Sequence, residues 1–163
     1  MSEEDLHIEM DQFATHIQML IKYLMVCDGD VIELGSGNYS TPLIHEVVKS
    51  RGRKLDTYDS NEQWLERFRN LEDESTRLHH VKDWDSFSVD KKYGLAFIDH
   101  ADPPSHQRWT QVVKLIPFSS LIIIHDTEDD QYGYKNLDDV SGLELIEEDE
   151  RHSARTKVFK TNV

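Results

Sequence analysis

The chain has 163 residues, 37% hydrophobic and 31% charged, which suits one folded domain with one sizeable core. Its formal net charge of -14 excludes a partner held mainly through phosphates, so no nucleic acid is expected. Cys27 is the only cysteine, which excludes an intrachain disulfide or a Cys-x-x-Cys site and fits a reducing, cytoplasmic setting; no apolar run approaches the roughly 18 residues that span a membrane, and the acidic start is no signal peptide.

Residues 1–10 read as an acidic N-terminal tail and 11–163 as a single domain. Phe13, Ile17, Leu20, Ile21 and Leu24 recur at helical spacing and predict an amphipathic helix over 11–26. A turn at 27–30 leads into a first strand at 31–34. The strand runs into a glycine turn, Glu33-Leu34-Gly35-Ser36-Gly37-Asn38-Tyr39-Ser40-Thr41-Pro42. Ser40 or Thr41 is the expected N-cap of a helix over 42–51, with Pro42 in its first position and Leu43, Ile44, Val47 and Val48 facing inward. A second strand at 55–59 is followed by a helix capped by Ser60 or Asn61 and carrying Trp64, Leu65, Phe68 and Leu71.

A third strand is expected at 78–81, ending at Lys82-Asp83-Trp84, and a fourth at 94–98, ending at Asp99-His100. Asp102-Pro103-Pro104-Ser105 reads as a rigid lead into a helix capped by Ser105 and running to Lys114, with Trp109, Val112, Val113 and Ile116 on one side. The near-continuous apolar run at 120–124 is typical of a strand buried on both faces, and it ends at His125-Asp126-Thr127. Residues 128–142 read as an acidic loop. The segments 143–146 and 156–160 form an expected antiparallel pair at a sheet edge.

Alternating strands and helices imply a mostly parallel sheet covered on both faces, and such sheets bind ligands beyond the carboxyl ends of their strands. Glu33, Asp59, Asp83, Asp99 and Asp126 all fall at or just past predicted strand ends. A glycine turn before a helix N-terminus suits a ligand with polar or acidic groups. Glu33 beside that turn would repel a pyrophosphate, yet it could pair with an amino or hydroxyl group. The dinucleotide fingerprint wants a third glycine where Ser40 stands, and no Walker A lysine is present. An NAD-linked or nucleotide-sugar-binding protein therefore stays as an alternative.

Over about residues 30–127 the chain resembles the class I S-adenosylmethionine-dependent methyltransferases. The resemblance rests on Glu33-Leu34-Gly35-Ser36-Gly37 with Ser40-Thr41, on Tyr58-Asp59, Lys82-Asp83-Trp84, Ile98-Asp99-His100 and His125-Asp126-Thr127. It implies a three-layer Rossmann-like α/β sandwich, with a mostly parallel seven-stranded sheet completed by the C-terminal antiparallel pair. It implies S-adenosyl-L-methionine as cofactor. Glu33, Gly35, Ser36, Gly37, Asn38, Tyr39, Ser40 and Thr41 would face its methionine part, Asp59 and Ser60 its ribose, Asp83 and Trp84 its adenine, with Asp99 and His100 beside them.

An oxygen nucleophile must lose a proton to a base or to a metal that lowers its pKa. Asp99, His100, His125 and Asp126 are the catalytic candidates. The pattern also resembles catechol-type O-methyltransferases, which implies Mg²⁺ on Asp99, Asp126 and Thr127, although Thr127 stands where those enzymes carry asparagine. Similarity to sugar-tailoring enzymes implies a small-molecule or carbohydrate hydroxyl as acceptor. A cofactor-binding module without catalysis is the other alternative. So short a chain leaves three ways to shape the acceptor site: an open cleft, a large substrate, or a homo-oligomer whose second subunit supplies a lid.

Overall fold

The structure is a computed structural model that describes residues 12–101, 108–128 and 130–163. The expected acidic tail, the Asp102–Ser105 lead with its Ser105 cap, and Asp129 lie outside the described residues.

Seven strands form one sheet: β1 (Val31–Leu34), β2 (Leu55–Asp59), β3 (Thr76–His80), β4 (Tyr93–Ile98), β5 (Ser119–His125), β6 (Leu143–Asp149) and β7 (Thr156–Thr161). Their spatial order is β3-β2-β1-β4-β5-β7-β6. The first five run parallel, and β7 runs against both β5 and β6. The order reverses at β1, so the carboxyl ends of β1 and β4 open a crevice at the switch point.

Side-chain alternation divides the core. Ile32, Leu34, Ala96, Ile98, Ile122 and Ile124 point to one face, where Val112 and Leu115 of α4 (Arg108–Leu115) cover them. Val31, Leu55, Leu95, Phe97 and Ile123 point to the other, under α1 (Ile17–Val26) and α2 (Thr41–Ser50). A short α3 (Glu62–Leu65) continues as a 3-10 helix, Glu66–Leu71, and packs Leu65 and Phe68 on Leu78 of β3. The expected three-layer sandwich is thus what the chain forms. No helix among the described residues is long and apolar enough to cross a membrane.

Three elements depart from expectation. The helix expected over 11–26 is a 3-10 turn, Gln12–Ala14, followed by α1. The Thr15 hydroxyl donates to the Ala154 carbonyl (2.8 Å) across the molecule, and His16 packs between Phe97 and His125, which breaks the helical run. Phe13 and Ile21 are consequently exposed rather than core. The loop 128–142 contains two 3-10 turns, Asp130–Tyr132 and Tyr134–Asp139, because Tyr134 and Leu137 are apolar enough to join the α4 face. Pro42 occupies the second helical position of α2, not the first.

Candidate active site

The glycine turn is built from beneath by Glu33. This carboxylate has no exposure to solvent and accepts three hydroxyl hydrogen bonds, from Ser40 (2.5 Å), Thr41 (2.9 Å) and Thr57 (2.7 Å). Thr41 in turn accepts the Gly37 N–H at 2.9 Å. Burial raises the Glu33 pKa from 4.5 to about 7, against the lowering effect of the three hydroxyls. The two serine and threonine hydroxyls expected to cap α2 are spent on Glu33, and Ser40 makes no side-chain cap. Gly35 has a positive φ of 93°, and a Cβ there would lie 2.4 Å from the His100 Cα. The turn therefore presses directly on the end of β4.

Asp59, at the end of β2, holds the same turn from the side. Its Oδ2 accepts both the N–H (2.8 Å) and the hydroxyl (2.7 Å) of Ser36, and its Oδ1 accepts the Asn61 N–H at 2.8 Å. Asn61, rather than Ser60, caps α3 by accepting the Trp64 N–H at 3.0 Å. The Trp64 indole then reaches back and donates to the Ser36 carbonyl at 2.7 Å.

The ends of β4 and β5 carry a compact charge cluster around Arg108. This arginine is 3% exposed. Its Nη1 lies 3.3 Å from Asp99 Oδ1 and 3.3 Å from Asp126 Oδ2, and it also faces the His125 carbonyl at 3.4 Å. Its Nε donates to the His100 carbonyl, and its guanidinium lies 3.7 Å over the Tyr132 ring. Burial opposes its charge, but Tyr134, Asp99 and Tyr132 raise its pKa above the ordinary value. Asp126 has φ of 58°, the one left-handed non-glycine residue among those described, which turns its carboxylate back toward Arg108.

His125 is 2% exposed and has both ring nitrogens engaged. Nε2 lies 2.8 Å from the Thr15 hydroxyl, which also reaches the Ala154 carbonyl at 2.8 Å and the Gln12 carbonyl at 3.2 Å. Nδ1 faces Asp99 at 3.2 Å and Asp126 at 3.5 Å. Burial lowers the imidazole pKa, yet the two carboxylates outweigh it and raise the value overall. Burial raises the Asp99 carboxyl, but the hydrogen bond and charge of His125 and the charge of Arg108 hold it below the ordinary value. His16 is the opposite case: burial and the neighbouring His125 lower it to about 4, so it is neutral at pH 7.

One cleft of about 510 Å³ opens here, within the range of small-molecule sites. Ser36, Gly37, Asn38, Tyr39 and Ser40 form one wall, with Trp64, and Asp99, Ala101, Arg108 and Asp126 form the other. Phe13, His16 and Tyr132 also line it. Of the residues singled out in the sequence, the structure thus gathers the Ser36–Ser40 turn, Asp99 and Asp126. Glu33, Gly35, Thr41 and Asp59 sit behind the wall as braces, and Ser60 does not line the cleft.

Other expected site residues are placed elsewhere. Trp84 is 2% exposed and packs on Phe87 and on the His100 ring (centroids 4.2 Å apart), so its faces are taken by the core. His100 is itself 1% exposed. Asp83 is exposed and accepts the Asp85 N–H at 3.0 Å. None of the three lines the cleft. The Mg²⁺ expectation does not fit either. Mg²⁺ needs oxygens at about 2.1 Å in octahedral array, whereas a guanidinium nitrogen already stands between Asp99 and Asp126, and the Thr127 hydroxyl is buried and makes no hydrogen bond. His16, Asp99 and His125 bring ligand-type atoms within 4.8 Å of one another, but both ring nitrogens of His125 are engaged, by Thr15 and by Asp99. His16, Phe13, Trp64 and Tyr132 were not legible as site residues, since each reads as ordinary core or loop in sequence.

The sequence matches no protein-family model and no curated protein. Solved structures do match its fold. A Podospora anserina methyltransferase bound to S-adenosylhomocysteine aligns over 90% of this chain and 77% of its own, with TM-score 0.66 and 9% identity. The O-methyltransferase TomG from Streptomyces achromogenes, in complex with S-adenosylmethionine, aligns over 90% and 79%, with TM-score 0.65 and 11% identity. The N-methyltransferase NodS from Bradyrhizobium japonicum, in complex with S-adenosylhomocysteine, aligns over 99% and 94%, with TM-score 0.63 and 10% identity. With the strand order and the switch-point cleft, these likenesses give the chain the Rossmann-like fold of the class I S-adenosylmethionine-dependent methyltransferases.

Proposed function

We propose that the chain is an S-adenosylmethionine-dependent methyltransferase acting on a hydroxyl of a small molecule or carbohydrate. The observation that carries this reading is the charge of the cleft. Asp99 and Asp126 line it, and Arg108, the one lysine or arginine among its described lining residues, is already committed to both carboxylates and two carbonyls. Such a cleft suits a sulfonium cation and disfavours a pyrophosphate, which weighs against the NAD-linked and nucleotide-sugar alternatives.

The cofactor, when bound, supplies an electrophilic methyl group, and the protein aligns an acceptor with it. The Ser36–Ser40 wall and Trp64 would hold the cofactor, with Ser36 oriented by Asp59. Asp59, behind the wall, acts on the cofactor through Ser36, whose N–H and hydroxyl it fixes. His125 positions Asp99 through its Nδ1. The acceptor's proton would pass to Asp99 or to neutral His16, both of which line the cleft. The outer rings of Phe13, Tyr39 and Tyr132 suit the faces of a sugar or other flat acceptor. The test is transfer of a labelled methyl from S-adenosylmethionine to a panel of monosaccharides and phenols. Transfer to a hydroxyl that Asp99→Asn and His16→Ala reduce supports the reading; cofactor binding with no transfer to any acceptor supports the non-catalytic module.

A further inference from the structure

We infer that Arg108 is a built-in counter-cation: it holds Asp99 and Asp126 in the arrangement a divalent ion would otherwise impose, and so makes the ends of β4 and β5 a metal-free site. One guanidinium nitrogen lies 3.3 Å from a carboxylate oxygen of each aspartate. The side chain is buried, fixed at Nε by the His100 carbonyl and covered by the Tyr132 ring. A planar, always-charged fork suits this bridging task better than a lysine ammonium would. Both carboxylates face the one guanidinium nitrogen, so a divalent ion would first have to displace Arg108 from between them. Arg108 is a positioning residue here. Without it, Asp99 and Asp126 would face each other across the cleft with like charge, and a cation or a proton would take its place.

The inference concerns ion binding and does not rest on methyl transfer. Its test is titration of Mn²⁺ by electron paramagnetic resonance into wild type, Arg108→Ala, Arg108→Lys and the double variant Arg108→Ala with Asp126→Asn, each checked for folding by circular dichroism. Asp126→Asn alone identifies any Mn²⁺ held elsewhere on this acidic surface. The expected result is Mn²⁺ binding to Arg108→Ala about tenfold tighter than to wild type or Arg108→Lys, lost in the double variant. Wild type binding Mn²⁺ at a site that Asp126→Asn removes would overturn the inference, as would a folded Arg108→Ala with no gain. Where Arg108→Ala does not fold, Arg108→Gln takes its place, and the wild-type comparison with Asp126→Asn decides by itself.

Discussion

Glu33 shows how much a single side chain sets here. It is a carboxylate with no solvent exposure, satisfied by three hydroxyls, with a pKa raised from 4.5 to about 7. The folded state therefore holds its proton more tightly than the unfolded chain. Its contribution is fully present below pH 4.5 and is lost as pH rises through about 7, amounting to about 3 kcal/mol. Urea melts across that window should show wild-type stability falling with pH and a flatter profile for Glu33→Gln; equal slopes would contradict the assignment. The two tryptophans make a second test at this scale. Trp84 is a core ring, so Trp84→Ala should cost about 3–5 kcal/mol. Trp64 is half-buried at the cleft, so Trp64→Ala should cost about 1 kcal/mol but weaken S-adenosylhomocysteine binding several-fold in calorimetry.

Between elements, the close contact of the β1 turn with the end of β4 governs the site. Gly35→Ala would drive a Cβ within 2.4 Å of backbone, in a left-handed conformation, and should destabilise by more than about 3 kcal/mol in chemical denaturation while disordering the cleft. A milder change, Asn61→Ala, should cost about 1 kcal/mol through loss of the α3 cap. The strands and most helices were legible because period-two and period-3.6 patterns record which face is buried. The acids at strand ends were legible for the same reason, as polar breaks after apolar runs. Their duties were not, because each depends on partners far along the chain: Ser36 for Asp59, Thr57 for Glu33, Thr15 for His125. Trp84 and Trp64 look alike in sequence, and only the packing of Phe87 and His100 around one of them separates their roles. Arg108 carries no signal of its bridging duty in the sequence, because that geometry comes from the meeting of β4, β5 and α4.

Across the whole molecule, the fold brings a net charge of -14 to bear on a cleft whose only described cation is internally paired. The central claim follows from that balance: the switch-point cleft takes an S-adenosyl cofactor in preference to a phosphate-bearing one. Isothermal titration of the full chain with S-adenosylhomocysteine and, separately, with NAD tests it most directly. One S-adenosylhomocysteine should bind per chain, with affinity lowered by Trp64→Ala and by Asp59→Ala, and NAD should give no heat. Binding of NAD without binding of S-adenosylhomocysteine would contradict it.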